Sequence, residues 1–155
     1  MANLYRSWER AARLPGGARL FSLLAGRAAP YTGTLGARVE ALRPGFARVR
    51  LPDRRGVRNH LGSVHAMALA NLAEMTGNLA LLAALPDANN MIVTGFAIDY
   101  VKKARGAIVA TCEIGAGAGT RSGAVEYDVE LRDSAGVVVA TARGRCKLRA
   151  PRVHA

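Results

Sequence analysis

The sequence predicts an α+β domain in which a curved antiparallel sheet of about six strands wraps one long central helix, with an extra helical segment at the N-terminus. Three observations lead there. The stretch from Val64 to Leu85 is apolar on nearly every helical face, and such a helix has to be buried on nearly every face. Two strand-like runs precede it and four follow, with turn-length connections between runs, the pattern of antiparallel pairing. With 155 residues, 50 % of them hydrophobic, the chain can bury about 70 % of its unfolded surface and needs neither disulfides nor a metal to hold a core.

In order along the chain, Leu4, Tyr5, Trp8, Ala11 and Ala12 recur at helical spacing. The arginines around them (Arg6, Arg10, Arg13, Arg19, Arg27) give the start a transit-like composition, but the spacing reads as an amphipathic helix packed on the domain. Pro15-Gly16-Gly17 breaks it, and a second helical stretch runs to about Ala29, ahead of Pro30. Residues 1–29 are thus the helical segment of a single domain spanning 1–155, and 31–150 its core. Leu35, Ala37, Val39 and Ala41 face one way against Arg38 and Glu40. Beyond the turn Arg43-Pro44-Gly45, Ala47, Val49 and Leu51 alternate with Arg48 and Arg50, which completes a hairpin.

A polar loop over 53–62 leads to Ser63, the expected N-cap of the central helix, and Pro86 ends that helix. Ile92, Thr94, Phe96, Ile98 and Tyr100 then share one strand parity, and Ile108, Ala110, Cys112 and Ile114 share another. Val125, Tyr127, Val129 and Leu131 form a third set. Asp133-Ser134-Ala135-Gly136 turns into a last strand with Ala140, Ala142, Gly144, Cys146 and Leu148 inward. Cys112 and Cys146 sit at inward positions without a CxxC neighbour, so both are expected as free buried thiols in a reducing, cytoplasmic setting. The longest apolar stretch is interrupted by His65, Asn71, Glu74, Thr76 and Asn78, so no bilayer span and no membrane partner are expected.

Lys and Arg number 22 against 11 acids, a net charge of +11. The excess lies in residues 1–58 and 102–155, whereas 59–101 carries Glu74, Asp87 and Asp99 and no Lys or Arg. A positive field attracts polyanions. Yet 19 of the 22 cations are Arg in an Ala- and Gly-rich chain, a bias that base composition alone produces, and no zinc-finger, helix-turn-helix or aromatic RNA-binding signature appears. Nucleic acid is therefore not favoured as a partner. His60, His65 and His154 lack metal-ligand spacing, no G-x-S-x-G elbow is present, and the Gly-rich run 115–120 leads to a strand instead of a helix.

One sheet cannot cover all sides of the central helix, so a homodimer or a dimer of dimers is expected. On a helical wheel, Met67, Asn71, Glu74 and Asn78 share a face with the only carboxylate of the segment. A carboxylate on a buried helix is either satisfied by Asn71, Asn78 or a partner chain, or poised for chemistry. At the head of the helix, the unpaired amides near Ala66 and Met67 suit a developing oxyanion. Ala66 and Glu74 lie about 12 Å apart along the axis at 1.5 Å per residue. If both act on one carbonyl, they must come from two antiparallel copies of the helix.

The run Asn59…His65-Ala66-Met67…Leu72-Ala73-Glu74, together with Ile98-Asp99-Tyr100-Val101-Lys102-Lys103-Ala104-Arg105-Gly106, resembles the hotdog-fold acyl-CoA thioesterases of the PaaI-like type, and the likeness reaches to about residue 149. The resemblance implies hydrolysis of an acyl-CoA thioester to free acid and coenzyme A, with no cofactor beyond the coenzyme A of the substrate. It makes Glu74 the general base or nucleophile, Asn59 a positioning residue, His65 an orienter of the thioester carbonyl, and the amide of Ala66, with that of Met67, the oxyanion donor. Asn71 and Thr94 are the accompanying substrate-binding positions. Lys102, Lys103, Arg105 and Arg121 are candidates for the coenzyme A phosphates, or simply a solvated turn and loop. Two departures stand out: Ala66-Met67 replaces the family's Gly-Gly, and Glu74 its Asp. The first favours an alternative, a hotdog protein that holds an acyl ligand without hydrolysing it.

Overall fold

A computed structural model describes residues 4–85, 91–115, 117–118 and 123–148. Helices α1 (Leu4–Ala12), α2 (Gly17–Ala28) and the short α3 (Pro30–Gly33) precede strands β1 (Arg38–Arg43) and β2 (Phe46–Leu51). A 3-10 turn at Arg55–Val57 leads to α4 (Ala66–Ala84), followed by β3 (Met91–Tyr100), β4 (Ile108–Glu113), β5 (Gly123–Arg132) and β6 (Val138–Leu148). The six strands form one antiparallel sheet in the order β1-β2-β4-β5-β6-β3. Helix α4 touches all six, so the sheet curls around it as its apolar circumference requires. By length and hydropathy α4 would qualify as a membrane span, but most of it is buried among the strands, as a core helix is.

The alternation holds along β5 and β6: Val125, Tyr127, Val129 and Leu131 are buried, as are Ala140, Ala142, Cys146 and Leu148. It fails in two places, each at a bulge. In β1 the register slips between Val39 and Ala41, so Leu42 replaces Ala41 as the second buried side chain. In β3 it slips between Val93 and Gly95. One extra residue reverses the parity, which leaves Ile92 and Thr94 exposed while Met91, Val93, Phe96 and Ile98 pack against the core. The shared parity expected of Ile92, Thr94 and Phe96 is corrected accordingly. Gly45 closes the β1–β2 turn at φ +77°, a left-handed conformation that a side chain would resist.

The N-terminal helices share this core. Trp8 of α1 meets Phe21 of α2 edge to face at 5.2 Å, and both belong to the buried cluster. Ser22 bonds α2 to the sheet: its hydroxyl accepts from the Val39 N–H at 2.9 Å and donates to the Ala18 carbonyl. The short α3, begun by Pro30, extends the helical segment beyond the expected end at Ala29.

Both thiols are free and buried. Burial pushes the Cys112 thiol up to about 12 and the Cys146 thiol up to about 11, with the negative field of neighbouring acids adding to it. The thiolate is the reactive form, so neither cysteine should react with a disulfide reagent at pH 8 until the protein unfolds. Prompt labelling of one or two thiols in the native protein would contradict this burial.

Candidate active site

The loop before α4 is built around Asn59. Its side-chain oxygen accepts from the Leu61 N–H, the Ser63 N–H and the Ser63 hydroxyl at 3.0–3.2 Å. Asn59 thus closes an Asx-type turn, and Ser63, expected as the N-cap, is buried inside it. The cap is His65, whose Nδ1 accepts from the Met67 N–H at 3.0 Å. The helix accordingly starts at Ala66 and not at Val64, whose N–H is spent on the Ala104 carbonyl. Of the two amides expected as oxyanion donors, that of Met67 is occupied by this cap. The Ala66 N–H has no partner among the described residues. A neutral imidazole accepting at Nδ1 carries its proton on Nε2, and the His65 side chain is exposed. Tyr100, at the end of β3, donates its hydroxyl to the Ala66 carbonyl at 3.0 Å and ties the strand to the helix start.

Two hollows flank this end of α4. One, about 340 Å³, is lined by Asn59, Ser63, Ala66, Tyr100, Lys102 and Lys103 among others. Ala66 thus shares a hollow with two exposed lysines. The other, about 210 Å³, is lined by Met67, Ala70, Asn71 and Glu74 of α4, Phe96 of β3 and Tyr31 of α3. The wheel therefore grouped Met67, Asn71 and Glu74 correctly. Asn78, one turn further, is taken up by the Tyr127 hydroxyl, which donates to its Oδ1 at 3.0 Å. Neither asparagine satisfies Glu74, and the half-buried carboxylate has no hydrogen bond or ion pair among the described residues. Its charge adds to burial in raising the Tyr127 hydroxyl above its ordinary range.

Asn71 is only 7 % exposed, and its Oδ1 is the one buried side-chain oxygen or nitrogen among the described residues without a partner. An unpaired buried carbonyl costs about 1–3 kcal/mol. Asn71→Leu should therefore leave the melting temperature unchanged or raise it by a few degrees while weakening turnover. A clear drop in melting temperature would mean that the amide is satisfied in the assembled protein.

The remaining positions fall elsewhere. Thr94 sits at the β3 bulge, exposed, its hydroxyl donating to the Arg145 carbonyl at 3.2 Å, and it lines neither hollow. Arg105 is exposed and lines neither. Arg121 lies outside the described residues. Tyr31, Phe96 and Tyr100 were missed as site residues. Phe96 and Tyr100 share a strand parity that the sequence did show, although only Phe96 packs on the core, whereas nothing there brings Tyr31 to α4.

A six-stranded antiparallel sheet wrapped on one helix, with ionisable and amide groups along that helix, defines a protein of the hotdog fold, the fold of the PaaI and thioesterase-superfamily structures to which it is similar. The chain belongs to the DUF4442 family, a domain of unknown function, whose model matches residues 17–148. A structural-genomics target, APC5556, is similar over 96 % of this chain and 100 % of its own, with 28 % identity and a TM-score of 0.79. A Pseudomonas aeruginosa protein of unknown function, described as a probable thioesterase, matches 89 % of this chain and 97 % of its own, at 29 % identity and TM-score 0.73. A point mutant of the phenylacetic acid degradation protein PaaI of Thermus thermophilus shares the fold at 23 % identity, TM-score 0.66, covering 77 % and 99 %. No curated protein matches the sequence.

Proposed function

We propose that the protein hydrolyses an acyl-CoA thioester at a site shared by two protomers. The observation that carries this reading is the pair of unspent groups on α4, the Ala66 N–H and the Glu74 carboxylate. They lie about 12 Å apart along one helix, too far for one carbonyl. Strand β3 supports the second copy. Among the described residues it is an edge strand of ten residues paired only with β6, and an open edge of that length invites pairing. Ile92 and Tyr100 on it are each 47 % exposed, and Met67 and Tyr31 beside Glu74 are more exposed still. Two such edges meeting about a two-fold axis would set two α4 helices antiparallel, head to middle.

In that arrangement the thioester carbonyl accepts a hydrogen bond from the Ala66 N–H of one protomer, and Glu74 comes from the other. As general base, Glu74 takes a proton from water while the water oxygen bonds to the carbonyl carbon. The oxyanion of the tetrahedral intermediate is held by the Ala66 amide and the α4 dipole. The C–S bond then breaks, and the coenzyme A thiolate receives the proton from the Glu74 carboxylic acid, leaving free acid and thiol. As nucleophile, a Glu74 oxygen would instead attack the carbonyl carbon and expel the coenzyme A thiolate, and water would then cleave the acyl anhydride to free acid and the Glu74 carboxylate, its released proton going to the thiolate. Lys102 and Lys103 face the phosphates, Asn59 holds the loop that presents the amide, and Asn71 offers its free oxygen to water or substrate. The Pseudomonas aeruginosa probable thioesterase supports the reaction class.

The occupied Met67 amide favours a second reading, an acyl-ligand holder without turnover. One oxyanion donor is worth roughly 10²–10³ in rate, so the lost donor is expected to slow the reaction without abolishing it. Thiol release from aromatic, short-chain and long-chain acyl-CoAs separates the two. Multiple turnovers on at least one substrate support hydrolysis; tight binding with no thiol released over hours supports the holder.

A further inference from the structure

A hollow of about 550 Å³ lies between α2, α3 and the start of β1, with Met75 of α4 in its wall. The volume falls within the range of small-molecule sites. Leu23, Ala37 and Met75 give it an apolar lining. Gly26 and Gly33 let α2 and α3 touch at one end: a Cβ on Gly33 would lie 2.3 Å from the Gly26 carbonyl oxygen. Arg19, Arg27 and Arg38 also line it, all exposed. None of the three has a carboxylate partner among the described residues. Arg43, Arg50, Arg58, Arg132, Arg143 and Arg145, on the strands and in the loop before α4, are ion-paired, whereas Arg48, Arg54 and Arg55 in the same regions, like the three at the hollow, have no carboxylate partner among the described residues.

We infer that this hollow is a second ligand site, for an amphipathic anion: an apolar chain ending in a carboxylate or a phosphate. The chain lies against Leu23, Ala37 and Met75, and the anionic end is held by the three guanidiniums, which match carboxylate and phosphate geometry. Leu20 and Leu24 on the outer face of α2, each 54 % exposed, extend the apolar surface past the rim. A nucleotide fits less well, because a base needs polar partners. Among the described residues, Ser22 and Thr32 are the only neutral polar side chains in the wall, and the Ser22 hydroxyl is spent on Ala18 and Val39. A second copy of the chain fits less well too, since a two-fold contact here would set arginines against arginines. Neither Glu74 nor Ala66 borders the hollow, so the inference stands apart from thioester hydrolysis.

Trp8, the only tryptophan, packs on Phe21 of α2 and reports on this layer by fluorescence. Decanoate and decyl phosphate, below their micellar concentrations, should give a saturable change. Decanol should bind at least about tenfold more weakly and acetate not at all, because both ends of the ligand are needed. Arg19→Gln/Arg27→Gln/Arg38→Gln should melt like the wild type and bind decanoate at least about tenfold more weakly. Equal affinity for decanol and decanoate, unchanged decanoate binding by the triple variant, or a response only to anionic phospholipid vesicles would each overturn the inference.

Discussion

Glu74→Ala is expected to lower kcat for acyl-CoA hydrolysis by about 10²–10⁴-fold with little change in KM, the loss typical of a positioned general base. The carboxylate lies in a small hollow with Phe96, Tyr31 and Met67 and has no protein partner to neutralise it among the described residues. It is therefore free to accept a proton from water. Glu74→Gln should lose as much, although it keeps the volume and the polar end, because an amide cannot act as base or nucleophile. Binding of a non-hydrolysable acyl-CoA analogue should survive both changes. Steady-state thiol release at equal rates from wild type and Glu74→Ala would remove Glu74 from the mechanism.

The second large effect concerns stability. A glycine inside a helix normally costs about 0.5–1 kcal/mol relative to alanine, so Gly77→Ala in mid-α4 would ordinarily stabilise. Here it should destabilise by about 3 kcal/mol or more. A Cβ on Gly77 would lie 2.0 Å from the Tyr127 ring, and one on Gly144 of β6 would lie 2.1 Å from it. The ring is wedged against helix and strand together, buried to 2 % exposure, with its hydroxyl bonded to Asn78 one turn beyond Glu74. It cannot yield to one side without striking the other. Gly77→Ala and Gly144→Ala should each lower the melting temperature by about 6–12 °C. Tyr127→Leu should recover part of the loss in a Gly77→Ala background, which marks the ring as the cause. A Gly77→Ala protein that melts at or above the wild-type temperature would contradict the wedge.

The sheet could be read from the sequence because its inner face repeats every second residue from Val125 to Leu131 and from Ala140 to Leu148. Bulges have no such signature. The extra residues near Glu40 and Thr94 are ordinary strand formers, and only pairing with Val49 and Cys146 shows where register slips. Thr94, assigned to substrate binding by the family resemblance, sits at the second bulge and lines neither hollow. The Glu74 face was visible because one carboxylate on an otherwise apolar helix has a defined azimuth. The cap was not, because Ser63 is the usual cap type and only the fold shows it turned inward to Asn59 while His65 reaches Met67. The approach of Tyr31 to Glu74 depends on how α3 lies against α4, a tertiary fact with no local signal.

The shared site can be tested through Ala66. It is the first residue of α4, where proline is well tolerated, and His65 before it has the extended ψ of 139° that proline requires. Ala66→Pro therefore deletes the free N–H with little cost to the fold and should lower kcat by about 10²–10³-fold. Mixed dimers of one Ala66→Pro chain and one Glu74→Ala chain, purified on two different tags, decide the arrangement. If each site joins Ala66 of one protomer to Glu74 of the other, one site in the mixed dimer is intact and about half the wild-type activity returns. If each site lies within one chain, the mixed dimer is as inactive as its parents, and the two-protomer site is wrong.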